Sequence, residues 1–347
     1  MNRKIKALVF TSTQGVEVAE FSLPECGEDE VVVRTIYSMI STGTELRVRS
    51  GKQDMSGDMP YYPVIPGYSV VGEIVETGAK AVGWRVGDLV SGRNPGRTIE
   101  GLRSTWGGHA SYHVYPSAGY AQPVLLPPSA RLLDYVAVEL AAISGRGARA
   151  VAPAPGETAI VLGQGMIGAL SAAWLVAKGV RVGVADLSQR RLKRAAEWGV
   201  SATFAVDEPA VAERISAFTG GGADIVVESS GTMAGVKLAG TLLRNQRISG
   251  VGASIRWPRL LFQASYTDTL PISPTTFFTG EGAVVLTPGD RSVEDRNAAV
   301  EAFRTGTLRS TAFVDHIVPY TEAASAYDGL RTRPDEYFSV VFDWTAE

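Results

Sequence analysis

The stretch Ala159-Ile-Val-Leu-Gly163-Gln-Gly165-Met-Ile-Gly168, followed further on by Ala185-Asp186-Leu187, decides how this 347-residue chain is read. The apolar run before Gly163 predicts a buried strand, the glycines a tight turn, and the residues after them a helix. A second strand then ends in an acid. A dinucleotide's pyrophosphate needs that order. Gly163 permits the turn, and Gly165 lets the backbone approach the phosphates with no Cβ in the way. Gly168 lets the helix pack closely on the sheet, with its positive end toward the anion. Asp186 lies 18 residues after Gly168, near the roughly 20 expected for an acid that takes ribose hydroxyls. Gly163, Gln164, Gly165, Met166, Ile167, Gly168 and Asp186 are therefore the predicted cofactor contacts. The Asp186 carboxylate accepts from both ribose hydroxyls and repels a 2′-phosphate, so NAD is expected over NADP. Arg190 and Arg191 pull the other way, because an arginine beside the ribose holds that phosphate; otherwise they are solvated helix charges.

Outward from this centre the chain changes rhythm. From about residue 146, strands predicted at 158–163, 180–185, 201–205, 224–228 and 246–251 alternate with amphipathic stretches such as 166–178 and 188–198. That alternation predicts a parallel sheet with crossover helices. Ser230, Gly231, Val251 and Gly252, at the ends of the fourth and fifth strands, are further candidate cofactor contacts. Residues 253–290, broken by Pro258, Pro271 and Pro274, read as loops with one or two edge strands. Before residue 145 the chain is strand-rich, with short β-branched runs at Glu30-Val-Val-Val-Arg-Thr-Ile, Val70-Val-Gly-Glu-Ile-Val, Arg85-Val-Gly-Asp-Leu-Val and Ala110-Ser-Tyr-His-Val-Tyr. Helices are expected at 293–305 and 321–331, and a last strand at Tyr337-Phe-Ser-Val-Val-Phe-Asp. The fold class is α/β. A doubly wound nucleotide domain (146–288) interrupts a β-rich domain built from both termini (1–145 and 289–347).

Composition narrows the function. With 45% hydrophobic and 20% charged residues and a net charge of −3, the chain shows no basic excess for nucleic acid and no block of like charge for a membrane surface. No apolar run approaches the about 18 residues of a membrane span. A single cysteine, Cys26, rules out an internal disulfide and fits a reducing cytoplasm. It also leaves at most one thiolate for any metal.

The order of motifs resembles the medium-chain dehydrogenase/reductase superfamily of zinc alcohol dehydrogenases and quinone reductases. Its landmarks are Ser41-Thr-Gly-Thr-Glu45, Pro66-Gly-Tyr-Ser-Val-Val-Gly-Glu, Gly83-Trp-Arg-Val-Gly-Asp, Trp106-Gly-Gly-His-Ala-Ser-Tyr, Pro155-Gly-Glu-Thr-Ala-Ile-Val-Leu-Gly, Val226-Val-Glu-Ser-Ser-Gly and Asp315-His-Ile-Val-Pro-Tyr. The Ser-Thr-Gly-Thr-Glu and Pro-Gly-Tyr variants look most like the branch containing bacteriochlorophyllide hydroxyethyl dehydrogenases. The resemblance implies a Rossmann domain, a GroES-like catalytic domain, a nicotinamide cofactor and a homodimer. It does not carry over the metal. Zinc members place a cysteine where Thr42 stands and a histidine where Tyr68 stands, and Glu139 matches a third ligand of some polyol dehydrogenases. A hydroxyl, a phenol and one carboxylate make a poor zinc site, so no metal is expected.

Without an ion, side chains must manage the proton and the charge on the reacting oxygen. Thr44 matches the family's hydroxyl that relays a proton, and its alternative role is to bond local backbone. Tyr68 is read either as a general acid or as an aromatic filling the place of the metal. Glu45 and Glu139 are carboxylates with catalytic or structural readings. Thr42 and His109 are candidate substrate contacts, while His113 is expected to point outward from its strand. The leading expectation is an NAD-dependent, zinc-independent alcohol dehydrogenase or ketone reductase. Its expected substrate is a secondary alcohol or ketone of a sugar, cyclitol or other ring-bearing metabolite. An NADPH-dependent enone or quinone reductase and a non-catalytic nucleotide-binding protein are the alternatives.

Overall fold

The fold is that of a computed structural model, described over residues 3–52, 61–93, 99, 102–104, 107–244, 257–266 and 283–346. Val251, Gly252, Trp106 and the strand expected at 246–251 lie outside the described residues. The chain forms two compact units, Ile143–Asp290 and the remainder, Met1–Ala142 with Arg291–Glu347.

In the unit 143–290 the parallel sheet has the order Ala202–Ala205, Arg181–Asp186, Thr158–Leu162, Ile225–Glu228, Arg259–Phe262, Val284–Leu286. The chain reverses its direction of growth between Thr158–Leu162 and Ile225–Glu228, the crevice where doubly wound sheets bind ligands. The central strand is buried on both faces, which its unbroken apolar run predicts. Ala159 and Val161 join one cluster with Ala172, Leu175 and Leu192. Ile160 and Leu162 join another with Phe204, Ile215, Ala239 and Leu242. The 253–290 region supplies two parallel strands, Arg259–Phe262 and Val284–Leu286.

The other unit is built on two sheets. Strand Lys4–Phe10 pairs with Val16–Ser22 and shows why the fold is tight here: both of its faces are covered. Ile5, Ala7 and Val9 pack with Val32, Ile65 and Val114, whereas Leu8 and Phe10 pack with Val48, Tyr327, Leu330 and Phe342. Strand Glu30–Met39 is the hub of the larger sheet, pairing with Val70–Thr77, Tyr112–Pro116 and Val340–Asp343. Three helices matter for the site. Thr42–Arg49 follows the hub strand, Val138–Ala150 carries Glu139, and Val293–Arg304 begins with a capping box in which Ser292 and Asp295 bond each other's backbone.

One expectation is overturned. His113 does not point outward; His113, Val114 and Tyr115 are all buried, because the strand Tyr112–Pro116 is covered on both faces. Burial pushes the His113 imidazole down to about 3, so the ring is neutral near neutral pH.

Candidate functional site

The glycine loop of the nucleotide unit separates two kinds of glycine. Gly163 has φ +86°, and a Cβ there would sit 2.7 Å from the Ser230 backbone nitrogen. A Cβ on Gly168 would overlap the Gly163 carbonyl oxygen and the Ser229 hydroxyl. These two are demanded by the protein's own packing. Gly165 is different: its φ of −69° suits any residue, and a Cβ there would meet no described atom within 4 Å. Gly165 also caps the helix Met166–Ala177 without a side-chain hydrogen bond, so the helix presents bare amides and a positive end to open space. A dinucleotide pyrophosphate fits that cradle. Met166 is buried and Ile167 half-buried in the first turn. Gln164 is buried, with its Nε2 donating to the Gly163 carbonyl at 3.0 Å.

Asp186 ends its strand half-buried. Its Oδ2 accepts from the Gln164 N–H at 2.6 Å and its Oδ1 from the Ser188 N–H at 2.8 Å. Each oxygen keeps a further lone pair for a ribose hydroxyl. Arg190 is exposed and Arg191 half-buried on the helix Gln189–Ala196. Ser230 and Gly231 form the turn after Ile225–Glu228, Gly231 having φ +68°. Beneath them lies a residue with no role predicted from sequence, Glu228. Its buried carboxylate accepts from the Ser230 N–H at 2.9 Å, from the Ser230 hydroxyl and from the Tyr266 hydroxyl. Burial and that carboxylate push the Tyr266 phenol up, keeping it a donor. The signal was an acid at the end of an otherwise apolar central strand.

The other unit gathers the remaining candidates. Ser41, Thr42, Thr44 and Glu45 sit at the start of the helix Thr42–Arg49. The Tyr68 phenol is hydrogen-bonded to the Ser41 hydroxyl and to Thr44. Burial raises the Tyr68 phenol despite the Arg291 cation and these hydrogen bonds, so the hydroxyl holds its proton at neutral pH. The Thr42 hydroxyl is buried with no hydrogen-bond partner among the described residues.

Glu45 and His109 turn away from this cluster. Glu45 is fully buried; its Oε1 accepts from the Ser41 N–H at 2.7 Å, and its Oε2 contacts His109 Nε2 at 2.9 Å and accepts from the Tyr327 hydroxyl. His109 Nδ1 lies 2.8 Å from Ser38 Oγ, which accepts from Trp344 Nε1 at 2.8 Å. His109 has 0% exposure and both nitrogens engaged. The structure places it inside a network bracing the helix start.

Glu139 is buried, not solvated, and faces two arginines. Arg291 Nε donates to its Oε2 at 2.7 Å, and Arg296 Nη1 stands 3.6 Å from its Oε1. Arg296 also donates to the carbonyls of Gln122 and Tyr120, at 2.7 and 3.0 Å. The Arg291 guanidinium lies 5.0 Å from the centre of the Tyr68 ring. Sequence reasoning missed Arg291, which lies far from every landmark motif, just before the capping box. Thr42, Tyr68 and Glu139 are a poor donor set for zinc: they offer neither thiolate nor imidazole, and the carboxylate already holds a cation. Among the described residues no group of three or more His, Cys, Asp or Glu could hold a metal.

Comparison with known proteins agrees with both halves. The description "Alcohol dehydrogenase GroES-like domain" matches residues 27–128, and "Zinc-binding dehydrogenase" matches residues 167–259. An L-threonine 3-dehydrogenase of Streptomyces avermitilis is 31% identical over 245 residues, 65% of this chain and 70% of the relative. The chain belongs to the medium-chain dehydrogenase/reductase family. It is an NAD(P)-dependent oxidoreductase of the alcohol dehydrogenase type. A family member of full-length similarity is the 2-desacetyl-2-hydroxyethyl bacteriochlorophyllide A dehydrogenase of Cereibacter sphaeroides, 25% identical over 98% of each chain. An Escherichia coli oxidoreductase/dehydrogenase of unknown specificity, involved in membrane biogenesis, shares the fold with a TM-score of 0.85. It is 19% identical and covers 98% of this chain and 99% of its own.

Proposed function

We propose that this medium-chain enzyme is an NAD(H)-dependent alcohol dehydrogenase or ketone reductase that works without zinc. The observation that carries the reading is the donor set. The family's metal-ligand positions hold a hydroxyl, a hydrogen-bonded phenol and a carboxylate paired to arginine. When bound, the nicotinamide supplies the hydride chemistry. The chain's own residues then manage the proton. In ketone reduction the Tyr68 hydroxyl, which holds its proton at neutral pH, donates to the oxygen as the carbon is reduced. Thr44, bonded to that phenol, relays a proton between it and water.

The preference for NAD rests on Asp186. A carboxylate pinned by two backbone amides presents negative charge where NADP carries its 2′-phosphate. The substrate class proposed is a secondary alcohol or ketone of a sugar, cyclitol or other ring-bearing metabolite. The enzyme is proposed to be a cytoplasmic homodimer. Strand Val284–Leu286 ends the nucleotide sheet among the described residues, with Val284 41% and Val285 45% exposed, an apolar edge suited to a second copy.

The test is a panel of sugar, cyclitol and ring ketones with NADH or NADPH on extensively chelated protein, with metal content measured in parallel. Turnover with NADH that survives chelation is the expected result. Stoichiometric zinc whose removal abolishes turnover would overturn the metal-free reading. A preference for NADPH and enones would replace the activity itself.

A further inference from the structure

We propose that Arg291 is a catalytic residue: its guanidinium takes the position of the family's catalytic cation and offsets the charge that develops on the reacting oxygen. This deepens the proposed function and rests on it. The carboxylate that matches a metal ligand, Glu139, holds Arg291 Nε at 2.7 Å. The phenol that stands in the histidine ligand's place, Tyr68, lies under the same guanidinium, 5.0 Å from its ring centre. Arg291 thus joins two of the three former ligand positions, as an ion would.

Glu139 faces Arg291 and Arg296 together, one carboxylate against two guanidiniums. Arg296 is anchored on the carbonyls of Gln122 and Tyr120. Arg291 is the member that lies over the Tyr68 ring. A guanidinium keeps its charge at every working pH and offers several donors in one plane. Fixed charge in a buried site stabilises an oxyanion far more than it does in water.

The reaction balances without a metal. In the oxidative direction the carbinol hydrogen would leave with the C–H electron pair as a hydride, for which an oxidised nicotinamide, when bound, would be the acceptor. The substrate's hydroxyl proton passes to the Tyr68 oxygen as the phenol proton leaves through Thr44 to water, and the carbonyl double bond forms. Arg291 neither gains nor loses a proton; it offsets the negative charge on oxygen while the bonds change.

Two sets of variants test this. Arg291→Ala is expected to lower kcat by about 100-fold or more, with NADH affinity by fluorescence titration unchanged and part of the rate restored by guanidinium chloride. Retention of kcat within about threefold, below the loss of a single oxyanion donor, would overturn the proposal. So would a loss that guanidinium fails to restore in protein whose circular dichroism and melting match wild type. The second set needs no turnover. Thr42→Cys with Tyr68→His rebuilds a zinc-type donor set around Glu139, with and without Arg291→Ala, and Co(II) binding is read by its visible absorption. Removing Arg291 is expected to tighten Co(II) binding by more than the about 10–100-fold that outer-shell changes produce. Equal binding in both backgrounds would overturn the assignment of Arg291 to the cation's position. If wild-type protein binds NADH but turns over no alcohol or ketone, the proposed function falls, and the cobalt comparison alone decides where the guanidinium sits.

Discussion

The backbone N–H of Gln164 donates to Oδ2 of Asp186 across 2.6 Å, tying the glycine loop at the end of one strand to the acid that ends its neighbour. The acid therefore shapes the loop and, in the proposed function, presents charge to the ribose. Asp186→Asn keeps an acceptor but removes the charge. It is expected to weaken NADH binding by about 10–100-fold, the worth of a charged hydrogen bond, and to raise the NADPH-to-NADH ratio of kcat/KM. Steady-state kinetics with both cofactors check this; an unchanged ratio would remove Asp186 from the choice of cofactor.

Gly165 and Gly168 predict opposite phenotypes for the same substitution. Gly168→Ala forces a methyl into the Gly163 carbonyl and the Ser229 hydroxyl and is expected to destabilise the protein by about 1–3 kcal/mol, as overpacking does. Gly165→Ala points into open space; stability should move by less than about 0.5 kcal/mol, while NADH binding falls sharply. Urea unfolding paired with fluorescence titration separates the two.

Glu45 answers three donors at once: the Ser41 N–H, His109 and the Tyr327 hydroxyl. Glu45→Ala leaves all of them buried without it and is expected to reduce stability by about 3–5 kcal/mol. Tyr327→Phe removes one arm and should reduce stability by about 1 kcal/mol with kcat unchanged. A Tyr327→Phe enzyme that loses kcat but not stability would move this network into the chemistry.

His113 makes stability depend on pH in a defined window. Its folded pKa, about 3, lies below the ordinary value of 6.5. Between those values the unfolded chain binds a proton that the folded chain refuses, so stability is full above pH 6.5 and falls as pH drops toward 3. Between pH 7 and pH 5 this one group removes about 2 kcal/mol. His113→Phe should lack that component, and urea midpoints at the two pH values would show a smaller difference than wild type. An equal difference in both proteins would refute the assignment.

The apolar edge strand predicts the assembly. Wild type should elute at twice the 36.8 kDa chain mass in light-scattering chromatography, and Val284→Lys with Val285→Lys, which places charge on the edge, should elute as the monomer. A dimer that survives both lysines uses another surface.

The nucleotide half was legible because its chemistry is local. A buried strand, three glycines and an acid lie within 28 residues, and each is required by backbone geometry that neighbouring residues set. The strand and helix rhythm around them followed from the same short-range periodicity, and the motif order pointed to the family. The helix Thr42–Arg49 was not foreseen, although the run that forms it carried the Thr44 and Glu45 candidates. His113 was misplaced because alternation predicts an exposed face only where one side of a strand meets water, and this strand is covered on both.

The amino-acid sequence by itself determined the glycine loop with its acid, the α/β class and the residue types at 42, 68 and 139, since each is a property of residues at short spacing. Only the tertiary structure decided what stands among those altered positions. Arg291 reaches Glu139 from 152 residues away in sequence, and it withdrew His109 into a network with Ser38 and Glu45. Such pairings are made by packing distant elements against each other, and burial then obliges every polar group to find a partner that no local pattern names.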